Sequence, residues 1–290
     1  MDPAIAMYIA QGIHGLAYGM VLFLIASGLT LVFGMMGILN MAHAGFFMLS
    51  AYFAYQIVAW GGNYWTALFF APLVTGMAGV LLERFILRKI ISSGHANQLT
   101  ATLAIVLIII GLVQVQWGTE ILSFSAPDSL SGMVNIAGMQ YPVYRLFIIG
   151  VSSILLIFMV IVLYKTRLGM IVRAAVLDAE MVNALGINVP LVFMTVFGVG
   201  TCMAGIAGVV IAPVLSVHPY LWDQVGMDAF VVVITGGFGS LGGAFLVAIL
   251  LGLLNAYGIQ FISKYATVLT FAFMTIVLII KPTGLFGERE

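Results

Sequence analysis

Charge is what this sequence of 290 residues has least of. Ten basic and ten acidic side chains make up only 7% of the residues, whereas roughly a quarter of a soluble chain is charged. Apolar residues account for 63% of the chain and the mean hydropathy is +1.21. These values exclude a soluble globular domain and indicate an all-α polytopic membrane protein. We expect a single transmembrane domain over residues 1–290.

Several other absences exclude classes of function. The one cysteine, Cys202, leaves neither a disulfide framework nor a thiolate metal cluster. The net charge is zero and no basic cluster exceeds Arg84, Arg88 and Lys89, which argues against nucleic-acid binding. The chain has no G-x-x-x-x-G-K-[ST] phosphate-binding loop and no nucleophile, base or metal set at workable spacing. We therefore expect no enzyme activity, metal or cofactor in this chain.

Long apolar runs between polar breaks predict about eight full transmembrane helices, each of roughly 20 residues. The predicted spans are 8–34, 41–60, 66–88, 98–117, 144–164, 191–215, 244–261 and 266–280. A further run, Val225–Thr235, is only about half the length that a helix needs to cross a ~30 Å hydrocarbon core. We interpret it as a short half-helix, tolerable only where protein or a cavity surrounds its broken end.

Basic residues predict the orientation, because Lys and Arg are retained on the cytoplasmic side. Most of them lie in two loops, one containing Arg84, Arg88 and Lys89 and the other Lys165, Arg167 and Arg173. The polar segment 118–143 has acidic residues and no Lys or Arg, and we expect it to be an external loop. Arg145 is an exception near this loop. The N-terminus is then outside and the C-terminus is cytoplasmic.

The segment Lys165–Pro190 is unusually polar for this chain and predicts an excursion from the membrane. Ala174, Leu177, Met181 and Leu185 recur at helical spacing, which predicts one short amphipathic helix ended by Gly186. Such a helix lies on the membrane interface or docks into a groove of a partner protein. Periodicity alone does not decide between the two.

Four segments of the sequence resemble the permeases of branched-chain amino-acid ABC importers. The T-R-L-G, R-A and A-L-G-I-N elements of the Lys165–Pro190 segment are similar to the cytoplasmic coupling loop of these permeases. The segment Gly28–Tyr52 resembles their first hairpin, Gly236–Phe245 their glycine-rich motif, and Lys281–Gly287 their C-terminal end. The resemblance covers nearly the whole chain and is strongest to the shorter, LivH-like permease type.

The resemblance implies a subunit of a heteromeric importer in a bacterial or archaeal cytoplasmic membrane. Its expected partners are a second related permease, two cytoplasmic ATPases that bind ATP and Mg²⁺, and an extracytoplasmic substrate-binding protein. It also implies an ATPase-docking role for residues of the coupling loop, namely Thr166, Leu168, Gly169, Arg173, Ala174, Asp178, Leu185, Gly186, Ile187 and Asn188. The expected solute is a branched-chain or other hydrophobic amino acid. The alternative is a passive channel, or an ABC permease, for urea, amides or other small polar solutes.

Asn40 and His43 are candidates for the translocation pathway or its gate, because polar groups are costly in an apolar interior. They lie at the break between the first two predicted spans. We prefer to interpret Asn40 as the N-cap of the helix that carries His43. For His43, an interhelical hydrogen bond and a gating role remain open.

The glycine-rich turn after the half-helix contributes Gly236, Gly237 and Gly239 as further pathway candidates. Free backbone N–H groups at a broken helix can hold a carboxylate. Close packing of helices through small residues is the alternative that we prefer. Asp228 either complements the N-terminus of the short helix or attracts the ammonium group of an amino acid, and we prefer the first.

Overall fold

A computed structural model describes residues 3–38, 40–90, 93–136 and 138–287. These residues are almost entirely helical. The α-helices are α1 Pro3–Met36, α2 Ala42–Ala59, α3 Tyr64–Leu82, α4 Arg88–Ile90, α5 His95–Trp117, α6 Val143–Lys165, α7 Arg167–Leu177, α8 Ala179–Ala184, α9 Val189–Leu215, α10 Leu221–Gly236, α11 Leu241–Ile262 and α12 Ala266–Ile280. A π-helix, Glu83–Leu87, joins α3 to α4, and 3-10 helices occupy Asp128–Leu130 and Ser263–Tyr265. The strands β1 Met133–Ile136 and β2 Met139–Pro142 form an antiparallel hairpin that pairs Met133 with Pro142.

Six helical segments are long and apolar enough to cross a membrane, judged by length and composition alone. They are Ile5–Met36, Tyr64–Ile90, Ala96–Trp117, Val143–Lys165, Val189–Leu215 and Leu241–Ile280, the last containing both α11 and α12. An all-α, multi-pass membrane protein is thereby confirmed. The count of eight full spans and one half-helix stays a prediction. Helix α10 has 16 residues, about 24 Å at ~1.5 Å per residue, and starts four residues before the predicted half-helix.

Local sequence sets several helix ends. Asn63 caps α3, because its side chain accepts a hydrogen bond from the Thr66 N–H at 2.8 Å while the Thr66 hydroxyl accepts one from the Asn63 N–H at 3.1 Å. Asn188 caps α9 by accepting from the Leu191 N–H at 3.1 Å, and Ser240 caps α11 by accepting from the Gly243 N–H at 3.1 Å. These polar side chains accept hydrogen bonds from N–H groups in the first turn, which have no carbonyl partner within the helix.

The long helices alternate in direction between two ends of the bundle. One end, which we call the loop face, carries the segment 165–190, and there the Arg88 guanidinium donates to the Pro190 carbonyl at 3.0 Å. The other end, which we call the hairpin face, carries β1 and β2. There Leu122 and Val217 exchange backbone hydrogen bonds of 2.8 and 2.7 Å.

The C-terminal segment returns to the end of α10, because the Leu285 N–H donates to the Thr235 carbonyl at 2.8 Å. Phe33, near the end of α1, stacks on Phe238 with a centroid distance of 4.1 Å. The ends of α1, α10 and α12 and the start of α11 therefore lie together on the loop face.

Glycines allow the central helices to approach closely. Helix α1 packs antiparallel to α11, and a Cβ on Gly19 would lie 2.7 Å from the Ala248 carbonyl oxygen. A Cβ on Gly252 would collide with the backbone of Gly15 and of Gly19. Backbone contact of this kind is how membrane helices associate where lipid removes the hydrophobic driving force.

Candidate functional site

The hairpin-face half of the bundle encloses a cavity of about 740 Å³. The first half of α1, the start of α6, the end of α9, the start of α10, the end of α11 and the start of α12 form its walls. Its polar lining consists of Gln11, His14, Tyr18, Arg145, Asp223, Gln224, Asp228, Asn255, Ser263, Thr267 and Thr270. Its apolar lining includes Ile148, Ile211, Val214, Leu215, Met227, Ile259 and Phe271. A volume in this range is typical of small-molecule sites.

Asp228 lies on the wall of this cavity and not at the end of its helix. Helix α10 begins at Leu221, so the acid in its first turn is Asp223, and Asp228 lies about two turns from the start of the helix. The preferred interpretation of Asp228 as a complement to the helix N-terminus is therefore wrong. Its Oδ2 atom accepts a hydrogen bond of 2.8 Å from the Tyr18 hydroxyl of α1, which holds the carboxylate against the cavity.

Arg145 brings the opposite charge to the same cavity from the first turn of α6. Among the residues that the structure describes, none forms a hydrogen bond or ion pair with its guanidinium. The neighbouring Tyr141 of β2 shares a hydrogen bond of 2.9 Å with the Nδ1 atom of His14. Burial raises the pKa of Tyr141 to about 12, and the Arg145 charge opposes that rise. The cavity thus holds an acid and a base that do not touch each other.

Asn40 and His43 lie inside the bundle, although the sequence places them at a turn between spans. Helix α1 ends at Met36, Gly37 adopts a left-handed backbone with φ 64°, and α2 begins only at Ala42. A Cβ on Gly28 would lie 2.9 Å from the His43 Nε2 atom. Because Gly28 is eight residues before the end of α1, His43 lies about 12 Å inside the loop face.

The predicted N-cap is wrong, because the Asn40 side chain makes no hydrogen bond to α2. Asn40 and His43 are both 0% exposed. Neither amide atom of Asn40 has a hydrogen-bond partner within the described ranges, whereas the His43 ring lies within hydrogen-bonding reach of the Ile25 backbone. Only the Asn40 carbonyl is used, accepting from the His43 N–H at 3.2 Å. Buried polar atoms without partners are costly and require an explanation.

The glycine-rich turn is closely packed. A Cβ on Gly236 would lie 2.7 Å from the Gly243 carbonyl carbon, and a Cβ on Gly237 would collide with Gly287. Gly239 is exposed and lies beside Gly34 of α1. These contacts favour helix packing over ligand binding at Gly236 and Gly237, as the sequence interpretation preferred.

The segment 165–190 forms two helices and not the single amphipathic helix that its periodicity predicts. Thr166 caps α7 by accepting from the Gly169 N–H at 3.2 Å, and Asp178 interrupts the helix and caps α8 by accepting from the Met181 N–H at 2.8 Å. Gly186, with φ 84°, follows α8, and Asn188 caps α9. The break arises because a side-chain cap at Asp178 competes with continuation of the helix.

The predicted docking residues divide into anchors and exposed groups. Gly169 is buried against the backbone of Leu163, and the Arg173 guanidinium lies 5.2 Å from the centroid of the Tyr164 ring. Leu168 is exposed, while Ala174 and Ile187 are partly buried. An apolar stripe lies exposed on the surface of the chain, with Leu177 88%, Met181 61% and Leu185 74% exposed.

One interaction near the loop face is not predicted from the sequence. The buried Glu83 carboxylate accepts two hydrogen bonds from Arg88, at 3.2 and 2.9 Å. The π-helix brings residues five apart onto one face, so the i+4 rule cannot find the pair.

Comparison with known proteins identifies the family of this chain. The profile of the family described as branched-chain amino acid transport system / permease component matches residues 12–280. The chain belongs to this family. The resemblance seen in its sequence motifs is confirmed, and so is its place among transport permeases.

Several relatives are similar in sequence over nearly the whole chain. It is 27% identical to the high-affinity branched-chain amino acid transport system permease protein LivH of Escherichia coli K12, with 100% of this chain and 99% of that protein covered. It is 28% identical to BraD of Pseudomonas aeruginosa, with 99% and 98% covered. LivM of Escherichia coli K12 is 25% identical, with 92% of this chain and 68% of that protein covered. PsaBC from Streptococcus pneumoniae in complex with Fab shares the fold, with a TM-score of 0.51 at 11% identity and 94% and 92% coverage.

Proposed function

We propose that this chain is one permease subunit of an ATP-driven importer and forms half of a translocation pathway for branched-chain or other hydrophobic amino acids. The family match and the full-length similarity to LivH and BraD support this assignment. The additional similarity to LivM, a permease of the same named system, supports a second, related permease as the partner across the pathway. An extracytoplasmic binding protein delivers the solute.

ATP is hydrolysed by separate cytoplasmic ATPases that dock on segment 165–190. The observation that carries this proposal is the exposed stripe of Leu177, Met181 and Leu185 on α7, α8 and the turn after them. Burying an aliphatic side chain stabilises a complex by roughly 1.5–3 kcal/mol. A stripe of this kind beside Arg173 fits a groove in a partner protein, and α7 contacts α1 and α6, so movement of the stripe reaches the bundle.

The loop face is cytoplasmic in this proposal. It carries seven of the ten basic residues of the chain, namely Arg84, Arg88, Lys89, Lys165, Arg167, Arg173 and Lys281, whereas the hairpin face carries Arg145 and Lys264. This asymmetry has the sign that the positive-inside rule requires for a cytoplasmic loop face. The cavity then opens toward the extracytoplasmic half of the membrane.

The test is reconstitution of the chain with its second permease, ATPases and binding protein in liposomes. We expect L-leucine uptake that requires ATP. Leu177→Asp and Arg173→Glu should each abolish ATP-coupled uptake and weaken ATPase co-purification, because they place the wrong charge on the docking surface. Ile121→Asp, at another strongly exposed aliphatic site on the hairpin face, is the matched control and should transport normally.

Flux that persists without ATPases would contradict the proposal and favour the passive channel. A set of urea or amide analogues in the same liposomes separates that alternative from an importer of a different solute. Normal coupling in the Leu177→Asp variant would contradict the docking role alone.

A further inference from the structure

The charged groups of the cavity come from separate elements and remain available to a ligand. Asp228 is supplied by α10 and Arg145 by α6, and both are partly buried. The Tyr18 hydroxyl occupies Asp228 Oδ2, and Oδ1 has no hydrogen-bond partner among the described residues. Charges kept at membrane depth without a protein partner mark pathways for ions or substrates.

The geometry of these groups excludes a simple structural ion pair. In a pair that only stabilises the fold, the acid and the base contact each other, as Glu83 and Arg88 do at 2.9 Å. Asp228 and Arg145 form no such contact. Tyr18 instead holds the carboxylate from a third helix, through the Oδ2 atom, in the wall of the cavity. A ligand that neutralises both charges has to carry a cation and an anion.

An apolar surface completes the cavity. Ile211, Val214 and Leu215 at the end of α9 lie on its wall with Ile148 of α6. Aliphatic walls of this kind favour a ligand with an aliphatic side chain. The cavity therefore combines one guanidinium, Arg145, two carboxylates, Asp228 and Asp223, and an apolar surface, and of the two carboxylates Asp228 is the partly buried one.

We propose that the cavity is a binding site for an aliphatic α-amino acid in its zwitterionic form. Arg145 binds the α-carboxylate through its planar guanidinium. Asp228, held by Tyr18, binds the α-ammonium group. Ile211 and Val214 contact the aliphatic side chain. The inference rests on the proposed transport of hydrophobic amino acids and assigns the residues that recognise them.

The volume indicates how the site works. About 740 Å³ exceeds what a single amino acid fills, so the bound solute shares the space with water. Each charged hydrogen bond then competes with hydration, and we expect weak, rapidly reversible binding. Such binding suits a pathway that has to release the solute again.

The test measures binding directly on the purified chain in nanodiscs, using calorimetry or ligand-induced thermal stabilisation. The probes are L-leucine, isoamylamine, which keeps only the ammonium group, and 4-methylpentanoate, which keeps only the carboxylate. We expect Arg145→Gln to weaken L-leucine and 4-methylpentanoate by about tenfold or more while isoamylamine is unaffected. Asp228→Asn should show the reverse selectivity. Asp128→Asn, an exposed acid on the hairpin face, and Arg84→Gln on the loop face are the matched controls.

The outcomes separate this site from the proposed function. Crossed selectivity of the two variants supports the site, even if reconstituted transport fails. ATP-driven leucine uptake with an unchanged half-saturation concentration in both variants overturns the site and leaves the importer assignment intact. Absence of L-leucine binding to the wild-type chain also overturns it. Loss of the second permease from purified complexes of both variants, without any ligand effect, would show that the cavity wall is a subunit interface.

Discussion

Removing Arg88 tests the link between the end of α3 and the start of α9. Glu83 is 1% exposed at its side chain and Arg88 is 37% exposed. Arg88 bonds both carboxylate oxygens of Glu83 and also the Pro190 carbonyl, which belongs to the first turn of α9. Arg88→Met keeps much of the apolar length of the side chain, so the main change is loss of the cation.

The expected loss of stability follows from the buried Glu83 carboxylate that remains without its cation. Leaving a buried acid without its partner costs about 3–5 kcal/mol. Because Arg88 is partly exposed and water screens its charge, we take the lower end, about 3 kcal/mol. That is roughly a 150-fold change in the ratio of folded to unfolded protein. The measurement is the free energy of unfolding of the purified chain in mixed micelles.

A double-mutant cycle provides the decisive comparison. Glu83→Gln removes the buried charge, so in the Arg88→Met background it should recover most of the lost stability. Arg84→Met is the control, because Arg84 is exposed, lies 5.9 Å over the Phe85 ring and forms no ion pair with any residue that the structure describes. A double variant as unstable as the sum of the two single variants would refute the reasoning. So would an Arg84→Met loss equal to that of Arg88→Met.

Three further predictions concern other parts of the chain. Gly252→Ala should lower the free energy of unfolding by about 1–3 kcal/mol, because the new methyl group meets the Gly15 backbone; Gly242→Ala on the same helix has open space and should be neutral in the same assay. Burial lowers the pKa of His218 from its ordinary value of 6.5, so the unfolded chain binds the proton more readily and stability should fall as pH drops below about 6.5. His218→Gln should reduce that pH dependence, and an unchanged profile would contradict it. Asn40→Leu should raise the unfolding free energy by about 1–3 kcal/mol, because it removes buried polar atoms without partners, while slowing transport in liposomes; lower stability would show that Asn40 is satisfied.

Helix boundaries follow closely from the sequence, because hydropathy and caps are local properties. The span predicted at 144–164 is α6 Val143–Lys165, and the one at 266–280 is α12 Ala266–Ile280. The break at Asp178 was also readable in principle, since an acid followed by Glu180 in the next turn is an N-terminus signature. The apolar stripe was given priority over that signal, and one helix was predicted in place of two.

The site depends on tertiary contacts that no local pattern reveals. Tyr18 and Asp228 are 210 residues apart, so the hydrogen bond between them emerges only when α1 packs on α10. Hydropathy also measures composition and not depth. It therefore detects the break around Asn40 but not its depth, which the packing of His43 against Gly28 sets at about 12 Å inside the end of α1.

Helix α1 connects the three regions that matter for function. Its first half supplies Tyr18 to the cavity, Gly28 faces His43, and α7 of segment 165–190, the proposed docking segment, contacts the same helix. Helices α10 and α2 are also in direct contact, where Gly226 meets Ala44. A tilt of α1 driven from the loop face would thus change the environment of Asp228 and of Asn40 in one movement. Substitutions that enlarge the side chain at Gly28 of α1 are therefore expected to alter both sites together.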